Sequence, residues 1–331
     1  MYLVLNLFLI SSYAATFLTF YPGAQPTGMG GAFCGIADNA YASFYNPAGL
    51  VFQNDFDFVI EYASITDGWD TPPKYWNFSG VIPFNQKISF GIFGSGIYSQ
   101  GISPSFPRET TSSEWQLAPG LSLGYKLNNF LGAGINIKYI RSPIWSIMGS
   151  SFAVDLGILT KHSFTFGKVS FGFAALNMGP DMTYNNGEWN VEEELPFTVK
   201  AGFSYSISSQ EVFKKKETGW FREWFHEKWR VIIAYDININ AFSANPWHSF
   251  GIEVRPISFL PIRVGYFTNS HSVEWARRNG FTWGIGFDFK FLRFDISNNF
   301  SSYMFDPSHR RFSLSLNIGE PIFPKNGLFG K

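Results

Sequence analysis

Charge is what this sequence has least of: Asp, Glu, Lys and Arg make up 15% of its 331 residues, against roughly 25% in soluble domains. Basic and acidic residues balance at 25 each, so there is no positive footprint for a nucleic-acid partner. Cysteine is nearly absent. The single thiol, Cys34, excludes an intramolecular disulfide, and without Cys/His clusters nothing suggests zinc. Read plainly, Cys34 is a small semi-buried residue, and it lies too far along the chain to be a lipoprotein cysteine. Long apolar runs are missing too: after residue 20 no stretch reaches the roughly 18 apolar residues of a membrane-spanning helix. The five histidines, His162, His226, His248, His271 and His309, are dispersed without a helix-spaced pair. His248 falls in one strand phase with Phe250 and Ile252, an ordinary contact position. Glu192-Glu193-Glu194 reads as a solvated charge run, not a calcium site. No catalytic set, metal site or cofactor is expected.

Aromatic residues are plentiful at 19%, with 38 Phe, and there are 32 Gly. A neutral, aromatic-rich, Gly-rich chain with few charges needs a second apolar surface besides its core, and a lipid-facing exterior supplies one. The start, Met1 to Ala14, is an apolar run closed by small residues at Ser12 and Ala14, the pattern of a cleaved signal peptide. Residues 1–14 are therefore assigned to export.

Thereafter the chain alternates with period two. In Leu131 to Tyr139 the residues Leu131, Ala133, Ile135, Ile137 and Tyr139 share one face, and Gly132, Gly134, Asn136 and Lys138 share the other. Phe281 to Phe291 repeats the pattern. Only a strand separates successive side chains this way. Fourteen such segments are expected, at 55–64, 75–83, 87–97, 115–127, 131–141, 152–161, 168–177, 197–208, 229–239, 247–255, 260–268, 280–289, 291–298 and 311–318. Connections alternate between long, as at 98–114 and 178–196, and short, as at Asn128-Asn129. Outer-membrane barrels have long external loops and short periplasmic turns. The non-apolar face is small and mixed in charge: Asp57, Glu61, Lys138, Asp155, Lys200, Asp236, Glu253, Arg263, Asp288 and Asp295. That composition suits a confined, wet or plugged lumen. The expected fold is an all-β transmembrane antiparallel barrel of about 14 strands, spanning residues 55–319, in bacterial outer-membrane lipid. Residues 320–331 form a tail.

Residues 15–54 do not read as strand. Within them, Gly23 to Leu50 carries glycines at 28, 30, 31 and 35, which permit close turns. Asp38 or Asn39 is placed to cap a short helical turn, and Asn46-Pro47 marks a turn. A phosphate-binding loop is excluded, because no strand precedes the glycines and no Lys-Ser/Thr pair closes them.

Gly28-Met29-Gly30-Gly31-Ala32-Phe33, Ala37-Asp38-Asn39-Ala40 and Tyr45-Asn46-Pro47-Ala48-Gly49-Leu50 together resemble the N-terminal signature of the FadL-like outer-membrane barrels. Ala175 to Tyr184, with Gly187, Leu195-Pro196 and Lys200 to Tyr205, resembles the PorV/PorQ branch. Asp236-Ile237-Asn238, Arg263-Val264-Gly265-Tyr266 and Arg311 to Leu316 extend that likeness across nearly the whole chain. The resemblance implies that residues 15–54 are a hatch inside the lumen, with Gly28, Gly30, Gly31, Asp38, Asn46, Pro47 and Gly49 as its signature. It also implies an accessory role in type IX protein secretion. Such a protein binds the conserved C-terminal domains of secreted cargo and passes them to other components of the secretion system. Partner-binding loops are then expected at Trp69, Phe106, Gly179, Pro180, Tyr184 and Trp189, exposed aromatics being typical anchors. The alternative is a FadL-like channel for hydrophobic molecules, which needs an apolar site in the lumen and a lateral opening; Ile140, Leu159, Ile232 and Ala234 are its inward apolar residues. A plain structural barrel is a third reading. Between Ser208 and Lys228, Trp220, Phe221, Trp224 and Phe225 recur at helical spacing, which predicts an amphipathic helix lying at the membrane surface.

Overall fold

The computed structural model describes residues 15–20, 22–64, 73–103, 110–144, 147–185, 190–208, 229–240, 243–269, 279–289, 291–301 and 310–318. Among the described residues, sixteen strands follow an N-terminal stretch of short turns. They are β1 (Phe56–Ser64), β2 (Lys74–Pro83), β3 (Ile88–Ser103), β4 (Thr110–Lys126), β5 (Leu131–Ile144), β6 (Ile147–Phe164), β7 (Gly167–Met178) and β8 (Met182–Asn185). The second half comprises β9 (Asn190–Glu193), β10 (Thr198–Ser208), β11 (Arg230–Asn240), β12 (Ser243–Arg255), β13 (Ile262–Asn269), β14 (Asn279–Phe289), β15 (Leu292–Ser301) and β16 (Arg310–Ile318). All pairings are antiparallel. β1 pairs with β16 and β5 with β6, so fourteen strands close into a ring, with β7 hydrogen-bonded directly to β10. β8 and β9 form a side hairpin that touches the ring through β6, at Ser150 opposite Thr183.

The period-two pattern fixes which face is which. Ile135, Ile137 and Tyr139 of β5 are exposed, whereas Asn136, Lys138 and Ile140 between them are buried. An exterior carrying Leu121, Phe152, Phe171, Phe281 and Phe300 at more than half exposure belongs in hydrocarbon, not water. One outward row crosses seven strands and is aromatic at every position: Phe171, Phe203, Tyr235, Phe250, Tyr266, Phe281 and Phe300. Ring centroids within it lie 5.2 Å apart for Phe171–Phe203, 4.8 Å for Tyr235–Phe250 and 4.9 Å for Tyr266–Phe281. Such pairs each contribute on the order of 0.5–1.5 kcal/mol beyond area burial.

The strands fall where alternation predicts, but those on one side are longer. A tilted strand crosses a bilayer with about 9–11 residues. β3, β4, β5 and β6 have 16, 17, 14 and 18, and their extra length extends toward the long connections. We call that the upper end. Residues 98–103, 110–114, 142–144 and 147–151, expected in loops, are strand. Their residues do not alternate apolar with polar, which hides them from a reading of period two.

The segment expected as an external loop at 178–196 also holds structure, the β8–β9 hairpin. Its root is a β-bulge where the β6–β7 ladder shifts between Val154 and Leu156. Asn177 sits there at φ 63°, a conformation Asn tolerates better than most residues. Its backbone N–H donates to Asp155 Oδ1 at 2.7 Å, and its side chain donates to the Pro196 carbonyl at 2.9 Å. The Asn-x-Gly-Pro sequence thus turns the chain off the wall.

Candidate lumenal site

The stretch before β1 packs against inward residues on opposite sides of the ring. It contains α1 (Ala24–Gly28), α2 (Ala42–Tyr45) and a 3-10 turn at Pro47–Phe52. Its backbone is the main bonding surface. The Phe33 and Cys34 amides donate to Asp236 of β11 at 2.8 and 2.7 Å. The Ala40 amide donates to Asp57 of β1 at 2.6 Å, and its carbonyl accepts from Ser79 of β2 at 2.7 Å. Asn136 of β5 donates to the Ser43 carbonyl at 2.7 Å, and Ser204 of β10 to that of Gly35 at 3.1 Å. Thr282 of β14 accepts from the Gly30 amide at 3.0 Å and donates to the Gly28 carbonyl at 3.2 Å. Buried backbone groups need partners, and the wall's inward polar residues supply them to a segment with little regular structure.

The inward glycines explain how the backbone comes so near. A Cβ on Gly28 would lie 3.1 Å from Gly284 Cα, and one on Gly35 2.9 Å from Phe203 backbone atoms. A side chain on Gly134 would overlap the Pro47 carbonyl, and one on Gly172 the Cys34 carbonyl. Gly30, at φ 67°, takes a conformation that glycine adopts without strain. Asn46 caps the 3-10 turn: its Oδ1 accepts from the Ala48 amide at 3.2 Å, and its Nδ2 donates to the Ile158 carbonyl of β6 at 3.0 Å. Of Asp38 and Asn39, either of which the sequence placed as a cap, Asn39 takes that role: its side-chain oxygen accepts from the Tyr41 amide at 3.0 Å where the turn into α2 begins. Asp38 pairs with Arg230 at 3.2 Å. Gly31, Pro47 and Gly49 are buried in the same segment. Cys34 is fully buried rather than semi-buried, and burial pushes its thiol well above the ordinary range, with Asp236 adding to the shift.

Mixed inward charges pair across the wall. Arg263 donates to Glu253 and to Asp295, each at 2.7 Å, Arg311 to Glu61 at 2.7 Å, and Lys138 to Asp155 at 2.8 Å. Asp288 is half-buried and meets Arg255 at 2.6 Å. Lys200 bonds to Asn238 at 2.9 Å and stands 5.4 Å from the Tyr45 ring centre.

Above this seat the lumen turns apolar. Ala15 and Phe17, from the first described residues, pack with Ala63, Tyr75, Ile97, Ala118, Ile140, Ala153, Met182, Tyr184 and Leu195. Phe20 meets Tyr75 edge-on at 5.8 Å. The wall beside this cluster is incompletely laddered. The β4–β5 pairing passes from Gly120–Lys138 to Leu117–Arg141 without Ala118 or Pro119, and it ends there although both strands continue. Proline has no N–H to give.

Of the expected partner-binding residues, Gly179 and Pro180 are exposed. Tyr184 is not: its ring is fully buried in the upper cluster, because the β8–β9 hairpin turns Met182 and Tyr184 inward. Tyr184 is therefore withdrawn from any partner-binding surface. Trp69, Phe106, Trp189, Trp220, Phe221, Trp224 and Phe225 lie outside the described residues, as do the assigned signal peptide and the tail at 320–331. Ile140, Leu159, Ile232 and Ala234 all point inward and are buried, but only Ile140 belongs to the upper cluster; the others pack around the segment that contains Phe33 and Tyr45. Phe17, Tyr75, Asn177 and Thr282 matter more than sequence reasoning allowed. Strand phase gives a residue's face, not its height or what packs on it. His248 contacts Tyr235, 2.7 Å from its hydroxyl, an ordinary contact. No group of three or more His, Cys, Asp or Glu that could hold a metal ion occurs among the described residues.

No family model matches the sequence, and no curated protein matches it. Solved structures do. The CymD monoaromatic hydrocarbon channel aligns with TM-score 0.57 and 14% identity, covering 89% of this chain and 96% of its own. The Pseudomonas putida toluene transporter TodX gives 0.53 and 13%, with coverage of 89% and 96%. A Pseudomonas aeruginosa FadL homologue gives 0.51 and 12%, with coverage of 91% and 99%. The fold is thus that of the FadL-type barrels, and these structural neighbours are transport channels rather than enzymes.

Proposed function

We propose that this protein is an outer-membrane channel for hydrophobic small molecules, with residues 15–54 as its hatch. The observation that carries the reading is the division of the lumen: a densely bonded seat below and an apolar cluster above, beside the place where the β4–β5 ladder is interrupted. A hydrophobic solute arriving from the upper end gains by burial among Tyr75, Ile97, Ala118 and Ile140, at about 25 cal/mol per Å². Ala15 to Phe20 and the β8–β9 hairpin are the occupants that are not wall strands, so they are what it displaces. With the seat closed below, the way onward is sideways, past Ala118 and Pro119. The similarity to hydrocarbon channels supports this reading.

The secretion role implied by the sequence resemblance gains no such support. Its most specific block, around Asn177, Gly179 and Pro180, has a structural use in forming the bulge, and Tyr184 is buried. Uptake of a radiolabelled aromatic hydrocarbon by intact Gram-negative cells lacking other such channels tests the proposal. Expression should raise the initial rate severalfold over cells with empty vector, and an unchanged rate would contradict it.

A further inference from the structure

Several inward polar atoms near the upper cluster lack a hydrogen-bond partner, the Tyr75 hydroxyl among them, but one side chain there leaves both its donor and its acceptor unused. Asn77 of β2 is 2% exposed, and neither its amide nitrogen nor its amide oxygen has a hydrogen-bond partner. An asparagine brings two donors and an acceptor, and burying them unpaired is costly. Its neighbours on the same face fix where it stands. Ser79, below, is committed to the Ala40 carbonyl. Tyr75, above, lies in the apolar cluster with Ala63 and Ile97. To the sides, the register sets Glu61 of β1 and Ser95 of β3.

We infer that Asn77 is the polar end of the upper site, and that this site takes an apolar molecule bearing one neutral hydrogen-bonding group, an alcohol or a phenol. The inference rests on the channel reading above. A bare hydrocarbon leaves both amide atoms unpaired, whereas a hydroxyl both donates and accepts and so can satisfy either. A carboxylate is disfavoured by the charges already present. The Arg311 guanidinium is matched by Glu61 at 2.7 Å, and the second Glu61 oxygen is buried without a hydrogen bond. A further anion would leave that corner with net negative charge away from water. Sites built around a substrate hydroxyl reject the analogue that lacks it, because their own polar groups are then stranded.

The test uses the full-length protein purified in detergent and three ligands with one ring: ethylbenzene, 2-phenylethanol and phenylacetate. Calorimetry should show 2-phenylethanol binding about tenfold more tightly than either of the others. Asn77→Leu, similar in volume and apolar, should abolish that preference while keeping or improving ethylbenzene binding. Asn77→Ser should keep part of it. Heat-modifiable migration on gels verifies that each variant is folded. A preference that survives in Asn77→Leu overturns the inference. So does wild-type protein that binds ethylbenzene or phenylacetate at least as tightly as the alcohol; the amide then holds only water, and the channel reading stands. Binding of none of the three overturns both.

Discussion

The same N-terminal chain fills the lower and the upper lumen, but by different means. Below, from Gly28 to Leu50, it is held by backbone hydrogen bonds to Asp57, Asp236, Asn136 and Thr282, and by glycines that admit it to van der Waals contact with the wall. Above, Ala15 and Phe17 are held by apolar packing, with Phe20 edge-on to Tyr75. Directional bonds to buried groups specify one position and resist displacement. Apolar contacts are non-directional, and another apolar body can replace them. The difference separates a seal from a binding site.

Breaking the lower region should therefore have the largest effect. Arg263→Met removes the guanidinium that Glu253 and Asp295 each meet at 2.7 Å. Asp295 keeps Arg293 at 2.7 Å, so the charge left short of a partner is that of Glu253, whose other cation, Arg255, stands 3.7 Å away. Breaking a buried pair costs about 3 kcal/mol. The temperature at which the folded gel band converts to the unfolded one should fall markedly, and an unchanged conversion temperature would show that water already solvates this corner.

A smaller effect, of about 1–3 kcal/mol, is expected from Gly134→Ala, whose methyl would overlap the Pro47 carbonyl. Its sharper readout is the Cys34 thiol, which burial holds protonated. In the native barrel Cys34 should resist maleimide, and in Gly134→Ala it should label, with single-channel conductance rising as the segment lifts. Equal labelling of the two proteins would mean that the seat is looser than its contacts imply.

Phe17→Ala should move the conversion temperature of the barrel least: the ring is fully buried, but its loss is taken up by local release of Ala15 to Phe20 and not by opening the wall. Hydrocarbon binding should be kept or tightened in this variant. Weaker binding would make Phe17 part of the site rather than its occupant.

Much of this architecture was legible in the sequence. Alternation located all fourteen wall strands, since a wall between lipid and a polar lumen must change character at every residue. It likewise assigned Asp155, Arg263 and Asp295 to the inner face. The upper ends of β3 to β6 were illegible for the opposite reason: runs such as Thr110-Thr111-Ser112-Ser113 do not alternate in character. The β8–β9 hairpin was hidden because Met182 and Tyr184 turn inward only through the bulge at Asn177, a long-range arrangement with Asp155. Asn77 drew no attention because a polar residue in the inward phase is ordinary; its isolation depends on what the strands either side of it present.

The most direct measurement is anomalous diffraction from crystals soaked in bromobenzene. The account predicts a bromine peak in the upper lumen, among Tyr75, Ile97, Ala118 and Ile140, with Phe17 displaced and the Gly28–Leu50 segment unmoved. Bromine found only on the outer aromatic face, or below in the seat, would contradict it.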